Sequence, residues 1–562
     1  MFHQQKNLCL IVILVTANLC MAQGTGPIYF ADPNLKAAVE ENLGVADPTP
    51  RDMFLLRTLK ADNRGITDLT GLGYATFLQD LDLSANQISD ISPLQELRFP
   101  QTLNLANNQI TDISALAGLR TLGSLWLNGN HISDISAVSG LTNLTLLYLN
   151  DNQIEDISAI AGLTNLIQLQ LHNNLISDIS AVSELTNLTS LSLYNNQIRD
   201  ISAVSKLTGL KSLYLYNNQV DDISAVTGLV NLTGLQLHTN QINDISIVSG
   251  LKNLTLLNLA SNNISDVSPV AELSNLTALY LNNNKISDIR AVSGLTNLTL
   301  FNLADNQVTD ISAVSGLAKL TALYLSNNQI SDVSAVAGLS NLTTLQANNN
   351  RISDIWAISG LTNLTLLQLA NNQVNDISAV SGLAELASLS LYNNQIMDIA
   401  PVAGLKHLTS LLLYNNLIID IAPLAGLTNL TSLHLQNNII IDISAIAGLA
   451  NLTTLNLSTN LISDISAIAA LDKLTDLWLN TNYIEDISVL SGLAEVKTLY
   501  LNNNFISDIS SLTDLTNLTW LDLQNNYLYL DPTAYTDYLP RIRQNNPGIT
   551  IITDGANSPS GG

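Results

Sequence analysis

The chain has 562 residues, of which 46% are hydrophobic and 12% charged, and its 46 acidic and 21 basic side chains give a net charge of −25. This acidic balance excludes a nucleic acid as a partner, because binding to its phosphate backbone needs Lys and Arg to displace counterions. The aliphatic content excludes an acidic disordered chain, since it can bury a core. Only the N-terminus carries a long apolar run, so we expect no transmembrane segment in the mature chain.

Residues 1–22 are interpreted as a secretory signal peptide. Lys6 supplies a weakly basic start, Leu8 to Val15 form the apolar segment, and cleavage is expected after Ala22. Lipidation at Cys20 is the weaker alternative, because a bulky residue precedes it. Both cysteines, Cys9 and Cys20, would leave with the signal, so the mature chain would form no disulfide. The expected location is therefore secreted or in the cell envelope or periplasm.

A 22-residue unit then repeats without insertion or deletion. Residues 185–206 read LTNLTSLSLYNNQIRDISAVSK, and one aspartate per unit recurs 21 times from Asp68 to Asp508. An asparagine four residues earlier recurs 21 times from Asn86 to Asn526. The pattern L-x-x-L-x-L-x-x-N-x-I has the form of a leucine-rich repeat.

The spacing within this unit predicts its local structure. Alternating leucines indicate a short strand with its leucines inward, and the asparagine can satisfy backbone groups of a buried turn. The remaining ten or so residues fit a 3₁₀ turn that begins at the aspartate. Because one unit cannot bury its leucines alone, neighbours should stack into one cooperative solenoid with a parallel sheet, which we place at residues 60–529.

Such an array needs a cap at each end. Residues 23–59 are predicted to form a helical N-terminal cap, with Asp32 as N-cap, Pro33 in the first turn and Gly44 as the stop. A second helix start is predicted at Thr49. Residues 530–562, where the period ends, are predicted to form a C-terminal cap and a polar tail.

The repeat LTNLTxLxLxNNQISDISAVSG and the cap before it resemble bacterial internalin-type leucine-rich repeat proteins over about residues 27–545. The resemblance implies an α/β solenoid, a leucine-rich repeat horseshoe with a parallel concave β-sheet and 3₁₀ turns on the convex side. It also implies an extracellular protein whose concave sheet binds another macromolecule. It does not extend to an LPxTG-type sorting motif, a C-terminal hydrophobic span or a flanking immunoglobulin-like domain.

Tyrosine, tryptophan and histidine are frequent at the two outward positions that flank the second leucine of each strand. Nine of the 16 tyrosines lie there, and the only charges on the outward positions of the 21 strands between residues 80 and 522 are aspartates. The candidate ligand-binding residues at these positions are Trp126, Tyr148, His172, Tyr194, Tyr214, Tyr216, His238, Tyr280, Tyr324, Tyr392, Tyr414, His434, Trp478 and Tyr500.

Two explanations of these rings stay open. Rigid amphipathic rings provide contact area for a protein or glycan at low entropic cost. Alternatively, tyrosines suit strands and stack across a sheet for packing alone. The densest row has His172, Tyr194, Tyr216 and His238 in consecutive repeats, and Tyr392 with Tyr414 form a second pair.

The aspartate of each repeat is interpreted as a cap that accepts backbone N–H bonds of its own 3₁₀ turn. Calcium binding is the alternative, although the repeat lacks the glycine-rich pattern of calcium-binding β-rolls. His172 and His238 lie three repeats apart, roughly 14 Å by strand spacing, which is too far for one metal ion. No catalytic motif interrupts the array, so we expect no enzyme, no metal and no cofactor.

The sequence therefore predicts a secreted or surface-exposed binding module, monomeric, that recognises an extracellular protein or glycan through its concave face. The alternative is a structural spacer of the envelope or matrix without a specific ligand.

Overall fold

The computed structural model describes residues 26–554. The predicted signal peptide and the polar tail from residue 555 onward lie outside these residues. The described chain forms two compact units, divided between Ile264 and Ser265, which we call unit 1 and unit 2.

Every repeat contributes one strand of three residues, and within each unit the strands of neighbouring repeats pair in parallel, 22 residues apart in sequence. Leu191, for example, is the register partner of Leu169 on one side and of Leu213 on the other. All three leucines are fully buried. The leucines of the pattern therefore lie on the buried side of the sheet, as the alternation predicts, and the residues between them lie on the opposite face.

Unit 1 begins with two helices, α1 (Pro33–Leu43) and α2 (Pro50–Met53). Its strands β1 to β10 are Thr58–Lys60, Asp80–Asp82, Thr102–Asn104, Ser124–Trp126, Leu146–Tyr148, Gln168–Gln170, Ser190–Ser192, Ser212–Tyr214, Gly234–Gln236 and Leu256–Asn258.

Unit 2 contains strands β11 to β23 and helix α3 (Leu539–Asn545). The strands are Ala278–Tyr280, Leu300–Asn302, Ala322–Tyr324, Thr344–Gln346, Leu366–Gln368, Ser388–Ser390, Ser410–Leu412, Ser432–His434, Thr454–Asn456, Asp476–Trp478, Thr498–Tyr500, Trp520–Asp522 and Thr550–Ile552.

One carboxylate of the N-terminal cap bonds to both the first helix and the first repeat. One oxygen of Asp32 accepts hydrogen bonds from the backbone N–H of Asn34 and Leu35, at 2.8 and 3.1 Å, and so caps α1. Its other oxygen accepts from the backbone N–H and the hydroxyl of Thr67, at 2.7 and 3.0 Å. The helix ends at Gly44, which has a left-handed φ of 67°. The predicted N-cap therefore also ties the helix to the first repeat.

The repeated asparagines form a buried to half-buried series that we call the asparagine ladder (Asn86, Asn108 and every 22nd residue to Asn526). The Nδ2 of Asn196 donates to the carbonyl oxygens of Leu193 in its own repeat and Leu171 in the preceding one, at 3.0 and 3.1 Å. Its Oδ1 accepts from the N–H of Ile176, also in the preceding repeat, at 3.0 Å. Within each unit, such an asparagine thus satisfies backbone groups of two neighbouring turns.

The repeated aspartates cap the 3₁₀ turns, which are three to five residues long in the repeats. The N–H of Ser202 donates to Asp200 at 2.8 Å, and the corresponding bond recurs at Asp112 and Asp332. These N–H bonds lower the pKa of Asp112, Asp200 and Asp332. The interpretation of the aspartates as caps is confirmed.

The C-terminal end carries a strand that the sequence does not predict. After the last repeat the chain forms a single π-helical turn (Ala534–Tyr538) and α3, and then β23 pairs in parallel with β22. Asn546 is 3% exposed, accepts from the N–H of Leu518 at 2.8 Å and donates to the carbonyl of Leu515 at 2.7 Å. It repeats the ladder bonding outside the 22-residue period. The fold is a leucine-rich repeat solenoid with a parallel sheet, 3₁₀ turns and a helical N-terminal cap, as predicted.

Candidate ligand-binding face

The solvent-facing side of the sheet, which we call the sheet face, carries a continuous stack of four rings in unit 1. His172, Tyr194, Tyr216 and His238 occupy consecutive repeats, and each pair of neighbours has its ring centroids 4.1 Å apart. The planes differ by 10–15°. We call these four side chains the ring row. Identical slots one strand apart place the rings in register, so the predicted densest row is a real stack.

Burial within this stack changes how its members titrate. Burial lowers the pKa of His172 and His238, because an imidazolium loses its hydration there. Burial, and then the hydroxyl of Tyr194, raise the pKa of Tyr216. At neutral pH the ring row is therefore an uncharged surface of stacked π-systems.

The two ends of the ring row differ in their hydrogen bonds. The Nδ1 of His172 lies 3.1 Å from the hydroxyl of Ser192 in the next repeat. The Nδ1 of His238 is buried and has no partner among the described residues. One end of the stack is thus hydrogen-bonded within the protein, whereas the other end buries an imidazole nitrogen without a partner among the described residues.

The remaining predicted rings form smaller groups. In unit 2, Tyr392 and Tyr414 stack with centroids 4.2 Å apart, and burial followed by the Tyr392 neighbour raises the pKa of Tyr414 to about 12. Trp478 and Tyr500 stack at 6.2 Å. The corresponding unit 1 pair is Trp126 and Tyr148, edge to face at 6.1 Å.

Four predicted residues stand further apart from such stacks. The ring centroids of His434 and Trp478 are 6.5 Å apart and their planes are tilted, because Asn456 lies at the corresponding position of the repeat between them. Within residues 26–554, Tyr214, Tyr280 and Tyr324 make no ring contact. Each stands on its own among polar or small neighbours in the adjacent repeats.

Buried polar atoms without a partner gather on the sheet face. Among the described residues there are five, and each belongs to a side chain at an outward strand position. They are Asn150 Oδ1 and His238 Nδ1 in unit 1, and Gln436 Oε1, Asn502 Oδ1 and Trp520 Nε1 in unit 2. Buried polar side-chain atoms in native proteins are nearly always hydrogen-bonded to protein groups or to ordered water, so these five atoms differ from the other buried polar atoms of the described residues.

No group of three His, Cys, Asp or Glu side chains between residues 26 and 554 could hold a metal ion. In the same range, no helix has the length and apolarity required to cross a bilayer.

Two features of the structure are not predicted from the sequence. The unpartnered atoms could not be foreseen, since hydrogen bonding depends on the packed geometry. The apolar residues on the loops of unit 2 do have a sequence signal, because from Leu417 onward an apolar or aromatic residue replaces the glutamine that commonly follows the repeated asparagine.

Comparison with known proteins supports the repeat assignment. The sequence matches the family of leucine rich repeats (2 copies) at residues 101–140, 142–184, 186–228, 252–297, 274–319, 296–338, 318–361, 340–384, 362–407, 385–426, 406–448 and 450–492. No curated protein matches it.

Among solved structures, an internalin (inlF) from Listeria monocytogenes is 35% identical, with a TM-score of 0.54. The match covers 62% of this chain and 100% of that one. The plant peptide hormone receptor RGFR1, solved in complex with RGF2, is 23% identical over 89% of this chain and 95% of that one, with a TM-score of 0.65. The Arabidopsis receptor kinase HAESA is 20% identical over 93% and 95%, with a TM-score of 0.62. The two plant receptors share the fold. From its repeats and its identity with the Listeria protein, the chain belongs to the leucine-rich repeat family and is of the internalin type.

Proposed function

We propose that the protein is a binding module that takes a protein ligand on its sheet face, with the ring row of unit 1 as the principal contact. The observation that carries the proposal is the ring row itself, in which four rings of consecutive repeats stack with centroids 4.1 Å apart on the sheet face. Such a stack offers a ligand a large and rigid contact area.

The chemistry of the ring row suits a protein ligand. Its rings are already ordered by stacking, so little conformational freedom is lost when a ligand binds. Each ring offers an apolar body and, in tyrosine, a hydroxyl at the edge. Lysine and arginine are missing from the outward strand positions of repeats 80–522, so acidic ligands gain no ion pair there. A neutral glycan is the second candidate, since sugar faces can stack on the same rings.

We further propose that the protein acts outside the cytoplasm. The support is the signal-like N-terminal sequence that ends at Ala22 and the relationship to internalins. Mass spectrometry of the protein from the producing cell should then find an N-terminus at Gln23. A retained Met1 in the cell extract would contradict export.

The ligand-binding proposal is tested with peptides as probes. A random peptide phage library is selected on the full chain, and the enriched peptides are then measured by fluorescence anisotropy. The variant Tyr194→Ala/Tyr216→Ala should weaken these peptides at least ten-fold, because truncating central aromatic contacts of an interface costs about 2 kcal/mol or more.

The matched control is Tyr74→Ala, which removes an exposed tyrosine of a 3₁₀ turn outside the sheet face. It should leave affinity within about two-fold. Two results would refute the proposal: selection that enriches no peptide, as expected of a spacer, or enriched peptides that bind the double variant as tightly as the unchanged chain. Selected glycans that depend on Tyr194 and Tyr216, in place of peptides, would favour the second candidate.

A further inference from the structure

In the loop after each strand, one position directly follows the ladder asparagine, and we call it the slot. Within unit 2 the residue type at the slot changes from polar to apolar or aromatic. The slot holds Gln in ten of the 21 repeats. In six consecutive repeats it is apolar or aromatic, and we call these residues the apolar stripe. They are Leu417, Ile439, Leu461, Tyr483, Phe505 and Tyr527. Elsewhere the slot is apolar only at Leu175. A single such exchange needs no explanation, whereas six in succession form a surface.

The stripe is widened by apolar residues two positions further along three loops. Met397, Ile419 and Ile441 are 65%, 59% and 57% exposed, although these positions are mostly polar in other repeats. Tyr483 in the stripe is 49% exposed. At about 200 Å² for a large side chain, the first four stripe residues and these three neighbours together expose on the order of 700 Å². This exceeds the roughly 300–600 Å² patch of a typical monomer and approaches the ~800 Å² that one partner buries in a standard interface.

Carboxylates border the stripe. The exposed capping aspartates follow three residues after the stripe positions, at Asp420, Asp442, Asp464, Asp486 and Asp508. Between residues 417 and 530 there are eleven acidic residues and two lysines. This charge disfavours a second copy of the chain and an anionic lipid surface as occupants, and it favours a cationic partner.

The spacing along the stripe matches one kind of partner. Tyr483 and Phe505 have ring centroids 5.7 Å apart, and Phe505 and Tyr527 are 5.5 Å apart. The pitch of an α-helix is about 5.4 Å, so a helix lying along the stripe presents one turn to each repeat. Six repeats then match about 18 residues of helix.

Part of the stripe lines a surface depression. Leu461, Tyr483, Phe505 and Tyr527 line this depression of about 450 Å³ together with Asn and Thr residues of the same loops, such as Asn503. The surface thus combines apolar contact with amide and hydroxyl groups. An amphipathic helix has both kinds of surface.

We propose that the apolar stripe of unit 2 binds a basic amphipathic α-helix of a partner protein. The apolar face of the helix lies on the stripe, and its Lys and Arg side chains reach the bordering aspartates. This surface lies on the loops and is separate from the ring row of the sheet face, so neither proposal depends on the other.

The test uses an 18-residue helical peptide with leucine along one face and lysine on the other, measured by fluorescence anisotropy with the full chain. The variant Leu417→Gln/Ile439→Gln/Leu461→Gln/Tyr483→Gln should bind it at least ten-fold more weakly. Glutamine is what the same slot holds at Gln197 and Gln395, so this variant keeps both the fold and the charge. Raising the salt concentration should weaken binding to the unchanged chain.

Two controls separate the stripe from general charge attraction. Leu175→Gln makes the same exchange in unit 1, where the leucine is 43% exposed, and should leave affinity within two-fold. A peptide with its leucines replaced by serine should bind at least ten-fold more weakly to the unchanged chain. Tyr194→Ala/Tyr216→Ala should not affect the leucine-lysine peptide.

Two outcomes would overturn the proposal. One is equal affinity of the peptide for the quadruple variant and the unchanged chain. The other is a dimer of the unchanged chain in sedimentation that becomes a monomer in the quadruple variant, which would assign the stripe to a second copy.

Discussion

The asparagine ladder and the ring row each take one side chain per repeat, at positions two residues apart in sequence. The polar atoms of the ladder are hydrogen-bonded, whereas one polar atom of the ring row is buried without a partner. At Asn196 both the amide nitrogen and the oxygen are bonded to backbone groups of two repeats. In the ring row, Nδ1 of His238 is buried without a partner. Periodicity alone therefore does not show which of the repeated side chains are fully hydrogen-bonded, whereas the bonds of each residue do.

The largest expected effect is the loss of one ladder side chain. Asn416 is 6% exposed, donates to Leu391 and Leu413 and accepts from Ile396, each at 3.0 Å. Asn416→Ala leaves these backbone groups buried and unpaired. Each group that water does not reach then lowers the free energy of unfolding by about 1–3 kcal/mol. We expect a loss of about 4 kcal/mol in the free energy of unfolding, measured by urea denaturation.

The control for this change is Gln395→Ala, which truncates an exposed side chain next to a ladder position in the preceding repeat. It should alter stability by less than about 0.5 kcal/mol. A loss below about 1 kcal/mol for Asn416→Ala would show that water replaces the ladder bonds. The contrast between ladder and ring row would then fail.

A smaller effect is expected from acidification of the ring row. The pKa values of His172 and His238 are lowered by burial in the folded protein, so the unfolded chain binds more protons at mildly acidic pH. The stability these groups contribute is present above their unfolded pKa of about 6.5 and is lost as the pH falls through the lowered values. The Tm should therefore be lower at pH 5 than at pH 7.5, by a few degrees.

His238→Gln should reduce this difference, because it removes one of the buried imidazoles. The matched control, His131→Gln, changes an exposed histidine to the residue that its slot commonly holds and should preserve the difference. The capping aspartates do not interfere, since carboxylates with lowered pKa lose their contribution only below about pH 4. An equal Tm at both pH values would contradict the account of the row.

Much of the fold could be predicted from the sequence because each repeat makes the same local choices. Strand, ladder turn and 3₁₀ turn follow from the spacing of Leu, Asn and Asp, and the helical cap follows from Asp32 and Gly44. Strand β23 and the ladder-like role of Asn546 could not be predicted, since they depend on how α3 packs against the last repeat. The division at Ile264 leaves the sequence period unchanged and is likewise invisible in the pattern.

The candidate site was predictable only in part. Equal spacing places His172, Tyr194, Tyr216 and His238 in one row, and the structure stacks them. The spacing could not indicate that His172 finds a partner in Ser192 whereas His238 finds none. That difference arises from the residue at one slot of the next repeat, a serine in one case and Asn258 in the other. Ligand binding by these rings stays a prediction.

The central claim, that the sheet face is the ligand surface, is tested most directly by site-specific photo-cross-linking. The cross-linking amino acid p-benzoylphenylalanine replaces Tyr216 in the ring row or Ser202 in a 3₁₀ turn, and each chain is irradiated with a peptide selected on the unchanged protein. The account predicts a cross-linked product from position 216 and none from position 202. A product from position 202 alone, or equal yields from both, would contradict it.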